Sequence, residues 1–172
     1  SGNLVWIRDD IGFGGYRMPV TISHVYNAND STKNLYGMGN GWRTNFNQKV
    51  DQWDNDNTDV DYYVWEDADG TDHYFYEVSS NTYKDEDGLE LTLTTNINEE
   101  GAQSCITDKY GNASYFDSYG RLIKQSNYQD EKSSITIAYT TTSSDLIYSI
   151  RDGVGRVYTF SYDTNNLLTQ IA

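Results

Sequence analysis

The chain has 172 residues, with 26 acidic side chains against 12 Lys plus Arg and a formal charge of −14. That balance excludes a nucleic-acid partner, which needs clustered cations on its phosphates, and disfavours an anionic membrane surface. The length fits one domain or a slice of a larger one, able to bury roughly two thirds of its unfolded surface. One cysteine, Cys105, excludes an internal disulfide and a cysteine-based zinc cluster. No apolar run nears the ~20 residues of a membrane helix, and Ser1-Gly2-Asn3 does not open a signal peptide. Membrane insertion is therefore not expected, and any export signal or anchor is expected to lie outside the sequence.

Sixteen Tyr, four Trp, five Phe and one Pro describe a chain of strands and turns. Mean hydropathy is −0.74, but Tyr buries area while counting as polar, so the expectation is a folded chain. In chain order, Val20, Ile22, His24 and Tyr26 alternate with polar neighbours and define a first strand. Gly37-Met38-Gly39-Asn40-Gly41-Trp42 has no following helix pattern to make a phosphate cradle, so it reads as a tight turn into a strand from Trp42 to Val50. Leu89, Leu91 and Leu93 alternate next, then Ile135, Ile137 and Tyr139, then Leu146, Tyr148 and Ile150, and finally Arg156, Tyr158, Phe160 and Tyr162. No window carries a helical apolar stripe with capping signals. The fold class expected is all-β: about a dozen short antiparallel strands in a hairpin meander, forming a twisted, spiralling sheet.

Within this pattern a motif recurs, Asp-x-x-Gly followed by an aromatic five residues after the Gly. It occurs at Asp67 to Gly70, Asp108 to Gly111 and Asp152 to Gly155, ending on Phe75, Phe116 and Phe160. Asp85 to Gly88 keeps the spacing but ends on Leu93. Shorter partners follow at Asp117 to Gly120 and Asp163 to Asn166, where Asn replaces Gly because it tolerates positive φ next best. Asp at the head of a turn accepts backbone N–H groups two residues on, and Gly supplies the left-handed position. Ile106–Ile123 and Ile150–Ile171 then read as two hairpin units whose leading Asp residues stand 44 apart. The expected organisation is an N-terminal segment 1–50, degenerate hairpin repeats 51–105 and two units in 106–172, in one continuous structure.

Asp117-Ser118-Tyr119-Gly120-Arg121-Leu122 and Phe160 through Ile171 resemble the YD repeats of the Rhs family. Gly2-Asn3-Leu4-Val5, Arg17 through Asn27 and Gly39 through Phe46 are similar to the segment that opens the repeat region in such bacterial proteins. Phe116-Asp117 in place of Tyr-Asp, and Asn166 in place of Gly, depart from the pattern. The resemblance implies a secreted or cell-surface bacterial protein whose hairpins wind into a shell around a hollow, often enclosing a C-terminal toxin. Its partners would be neighbouring repeats of the same parent chain. The chain would be an early, non-enzymatic slice of that shell, with another repeat expected after Ala172.

Asp54, Asp56, Asp59 and Asp61 could supply calcium with oxygens, but an EF-hand template places Asp59 and Trp65 where Gly and Glu belong. A solvated acidic turn is the simpler reading, and no cofactor is expected. His24 reads as a hydrogen-bonded core or cross-strand residue rather than a base, His73 as sitting near a strand start, and Cys105 as buried and inert. No nucleophile elbow of the G-x-S-x-G type is present, and no catalytic residue is assigned. Trp6, Trp42, Trp53 and Trp65 with the many Tyr leave open a second reading, a carbohydrate- or wall-binding module with aromatic platforms.

Overall fold

A computed structural model describes residues 3–12, 17–53, 62–128 and 130–172, and of residues 130–132 the backbone alone. The described residues form fifteen strands and one short 3-10 turn, Ala28–Asp30. Strands β1 (Val5–Gly12), β2 (Thr21–Asn27) and β3 (Trp42–Thr44) make a small antiparallel sheet in that order.

The second sheet takes β4 (Lys49–Trp53), β5 (Tyr62–Glu66), β6 (Asp72–Ser79), β7 (Thr82–Asp85), β8 (Thr92–Glu99) and β9 (Ala102–Thr107). It continues through β10 (Ala113–Phe116), β11 (Leu122–Asn127), β12 (Asp130–Tyr139), β13 (Ile147–Arg151), β14 (Val157–Tyr162) and β15 (Leu168–Ile171). All twelve follow one another in chain order, each antiparallel to the last. The expected all-β meander is the fold.

This sheet cannot be flat. The turn between β10 and β11 lies more than six strand spacings from β4, roughly 30 Å in a flat sheet. Yet Lys49 bridges Arg121, the Val50 N–H donates to the Gly120 carbonyl at 2.8 Å, and the Leu122 N–H reaches the Gln48 carbonyl at 3.2 Å. The sheet therefore curls until its first strand meets that turn. Strands β12 to β15 run on past the joint, so the sheet spirals and does not close into a barrel.

Period-two alternation sends Phe75, Leu93, Phe116, Leu122 and Ile150 to the inside of the curl, where none is measurably exposed. They join one cluster that includes Val20, Ile22 and Phe46 from the N-terminal segment. Along this stretch the interior is filled by the chain's own side chains.

Three details depart from the sequence reading. Trp42 to Val50 is not one strand: β3 ends at Thr44 and pairing resumes at Lys49 in the other sheet. The Asn47 side chain captures the Thr44 N–H at 2.8 Å, an alternative to the ladder that ends the strand. Leu89 is exposed and β8 starts only at Thr92, because the Asp85 carboxylate accepts the Leu89 and Leu91 N–H groups at 2.6 Å each and holds a wider loop. Tyr148 is not in phase with Ile150: a bulge there leaves Tyr148 53 % exposed while Ile147 and Ile150 point inward.

Candidate functional site: aspartate-led turns and the segment docked on them

Five turns among the described residues share one bond set. In those led by Asp67, Asp108, Asp117, Asp152 and Asp163, Oδ1 accepts the N–H groups two and four residues on, at 2.8–3.1 Å. The fourth residue, at φ between +60 and +96, donates its N–H to the Asp carbonyl at 3.0–3.2 Å. The Asp N–H closes the turn on the fifth residue's carbonyl at 2.9–3.1 Å. Asp85 departs from the set, since its closing partner is Leu91 rather than Leu89.

The second carboxylate oxygen varies. It takes the Asn112 amide in Asp108, the Arg121 guanidinium in Asp117 and the Arg156 Nε in Asp152. Burial works against the charge of Asp108 and Asp152, but hydrogen bonds from Asn112 and Arg156, with those from backbone N–H groups, hold both below the usual carboxylate range. Arg121 is buried, its guanidinium stacked 5.2 Å from the Tyr119 ring and 4.3 Å from the Tyr139 ring, and it also donates to the Thr141 and Ser144 carbonyls.

The N-terminal segment touches four of these five turns. Asn27 Nδ2 donates to the Asp69 carbonyl at 2.9 Å, and a Cβ on Gly70 would lie 2.8 Å from the Arg43 guanidinium. Val50 and Gln48 hold the Asp117 turn as described above. The Gly153 N–H donates to the Met18 carbonyl at 3.2 Å, and the Leu168 N–H to the Gly37 carbonyl at 2.7 Å. The fifth turn, at Asp108, meets Tyr128 instead, whose N–H donates to Asn112 Oδ1 at 3.4 Å.

Arg43 anchors the first of these contacts. It is 1 % exposed and pairs with Asp30 at 2.7 Å and Glu66 at 2.5 Å, with the Tyr36 ring 5.0 Å away. Burial opposes its charge, but Tyr36 and the two carboxylates raise its pKa further. Tyr36 donates to Glu66 at 2.9 Å, and burial followed by that carboxylate drives its own pKa up. The sequence reading placed Arg43 only inside the strand expected from Trp42 to Val50. A lone Arg in a strand is the available signal, since such a charge needs partners to be buried.

The remaining candidates are dispersed. His73 sits at the start of β6, its Nε2 2.8 Å from Asp67 and its Nδ1 2.7 Å from Asp87, tying the Asp67 turn to the β7–β8 loop. His24 meets the Asp10 carboxylate through Nδ1. Burial and the nearby Arg8 lower its pKa. Cys105 is buried and its thiol is pushed up to about 11, chiefly by burial. Asp54, Asp56, Asp59 and Asp61 lie outside the described residues. Among the described residues no group of three or more His, Cys, Asp or Glu is placed to hold a metal ion, and no helix is long and apolar enough to cross a membrane.

Residues 1–75 match a family model described as a domain of unknown function (DUF6531). No match emerges among curated proteins. The matched stretch covers the small sheet, the Arg43 cluster and the Asp67 turn, ending within β6.

Proposed function

We propose that the chain is a non-enzymatic structural segment of a secreted or cell-surface protein of the Rhs/YD-repeat kind, in which it opens a spiralling β-shell. The observation that carries this reading is the docking of one N-terminal segment on four of five equivalent hairpin turns. Each hairpin alone leaves an apolar face uncovered, and neighbours plus the segment cover it. The segment fills the first coil, so the role it fits is the packed end of a shell, with any cargo space further along. Its partners on this reading are later hairpins of the parent chain, and beyond them a toxin cargo.

The test extends the chain by a second copy of residues 147–172 after Ala172. If β15 is a template for the next unit, the added hairpin folds, the melting temperature rises and β15 amides gain protection from exchange. An added copy that stays unfolded ends the proposal.

A further inference from the structure

The small sheet carries an arrangement the shell role does not use. Trp6 on β1 stands opposite Tyr26 on β2, and Tyr26 opposite Trp42 on β3, so three aromatics form one cross-strand row. Trp6 meets Trp42 at 5.6 Å and 72°, and Tyr26 meets Trp42 at 5.2 Å. The next row pairs Arg8 with His24. Trp6, Trp42 and Met38 with Arg8, Asp10 and His24 line an open groove of about 330 Å³. Trp6 remains 55 % exposed, and Arg8 leaves 71 % of its side chain in solvent while lying 3.7 Å from Asp10.

We propose that this groove binds a neutral sugar, stacking a pyranose face on Trp6 and passing its hydroxyls to Arg8 and Asp10. The lining decides the class. A wholly apolar partner would bury the Asp10 and Arg8 charges without satisfying them, which is costly. A pyranose has an apolar C–H face for the indole and hydroxyls for both charged groups, each of which remains hydrogen-bonded. Arg8 and Asp10 cancel locally while the chain carries −14, so an anionic glycan is repelled at long range with no net local attraction. His24, engaged with Asp10 through Nδ1, fixes that carboxylate for a hydroxyl donor.

The experiment titrates the 172-residue chain with maltohexaose, cellohexaose, chitohexaose and an oligogalacturonate of equal length, read by tryptophan fluorescence and calorimetry. At least one neutral oligosaccharide is expected to bind and to do so more tightly than the oligogalacturonate. Trp6→Ala should weaken that binding about tenfold or more and Arg8→Ala several-fold. Trp53→Ala, which removes an exposed aromatic from β4, should leave it unchanged. Failure of all three neutral probes to bind, tighter binding of the oligogalacturonate, or affinity retained in both Trp6→Ala and Arg8→Ala overturns the proposal. If Trp6→Ala does not fold, Arg8→Ala decides alone.

Discussion

An aspartate that heads a turn has two oxygens, and in this chain they do different things. Oδ1 serves the turn's own backbone in all five cases, while Oδ2 takes a side chain: His73 in Asp67, Asn112 in Asp108, Arg121 in Asp117 and Arg156 in Asp152. Asp163 makes only the first kind of bond through its carboxylate, and an Asn there keeps an acceptor oxygen. Asp163→Asn is therefore expected to cost less than about 1 kcal/mol. Asp117 also neutralises Arg121, which is 6 % exposed, so Asp117→Asn leaves a buried cation short of its counter-charge and should cost about 3 kcal/mol. Urea unfolding of the two variants measures the difference, and equal costs would mean the Arg121 pair contributes nothing. His73 offers a pH test. Burial lowers its pKa, but Asp67 and Asp87 outweigh that and raise it above the unfolded value of 6.5. Its contribution is thus complete below 6.5 and lost as pH climbs through the folded-state pKa. The melting-temperature gap between the natural chain and His73→Gln should be widest near about pH 5.5 and narrow towards about pH 9; a gap that widens with pH contradicts the clamp.

Where strands meet turns, glycines report which joints are tight. Gly88 and Gly120 share nearly the same φ, +74 and +75, but a Cβ on Gly88 meets nothing within 4 Å while one on Gly120 runs into the Val50 carbonyl. Gly88→Ala should cost about 1 kcal/mol for the left-handed conformation alone. Gly120→Ala should cost about 3 kcal/mol, because β4 must also retreat from the β10–β11 turn. Equal losses in urea unfolding would remove the joint on which the curl depends. The Asp-led turns were legible in the sequence because every bond that makes them lies within five consecutive residues. The joints were not, since Gly37, Met18 and Val50 dock through backbone atoms that any residue carries. Tyr148 misled for another reason: Leu146, Ile147, Tyr148 and Ile150 are apolar in both phases, so alternation alone could not place the bulge. Asn45 and Asn47, lying inside an expected strand, were the overlooked sign that β3 stops.

A sheet whose neighbours in space are neighbours in sequence would behave as a linear array, able to fray from either end. The N-terminal segment changes that expectation. It reaches turns from the one at Asp67 to the one at Asp163, and its Phe46 lies in one apolar cluster with Leu93, Ile150 and Phe160. Hairpins far apart in the chain therefore share a common partner and should unfold together. Phe46→Ala removes a side chain that is 4 % exposed and should cost about 3–4 kcal/mol. In a linear array the loss would fall on β4 and its neighbours, leaving β13 and β14 protected. In a sheet wrapped around one segment, native-state amide exchange should accelerate by a similar factor at Leu93, Ile150 and Phe160. Unfolding followed by tryptophan fluorescence and by circular dichroism should keep a single shared midpoint. Selective loss of protection in β4 to β6, or midpoints that separate, would show that the coils stand independently and that the segment is an appendage rather than their axis.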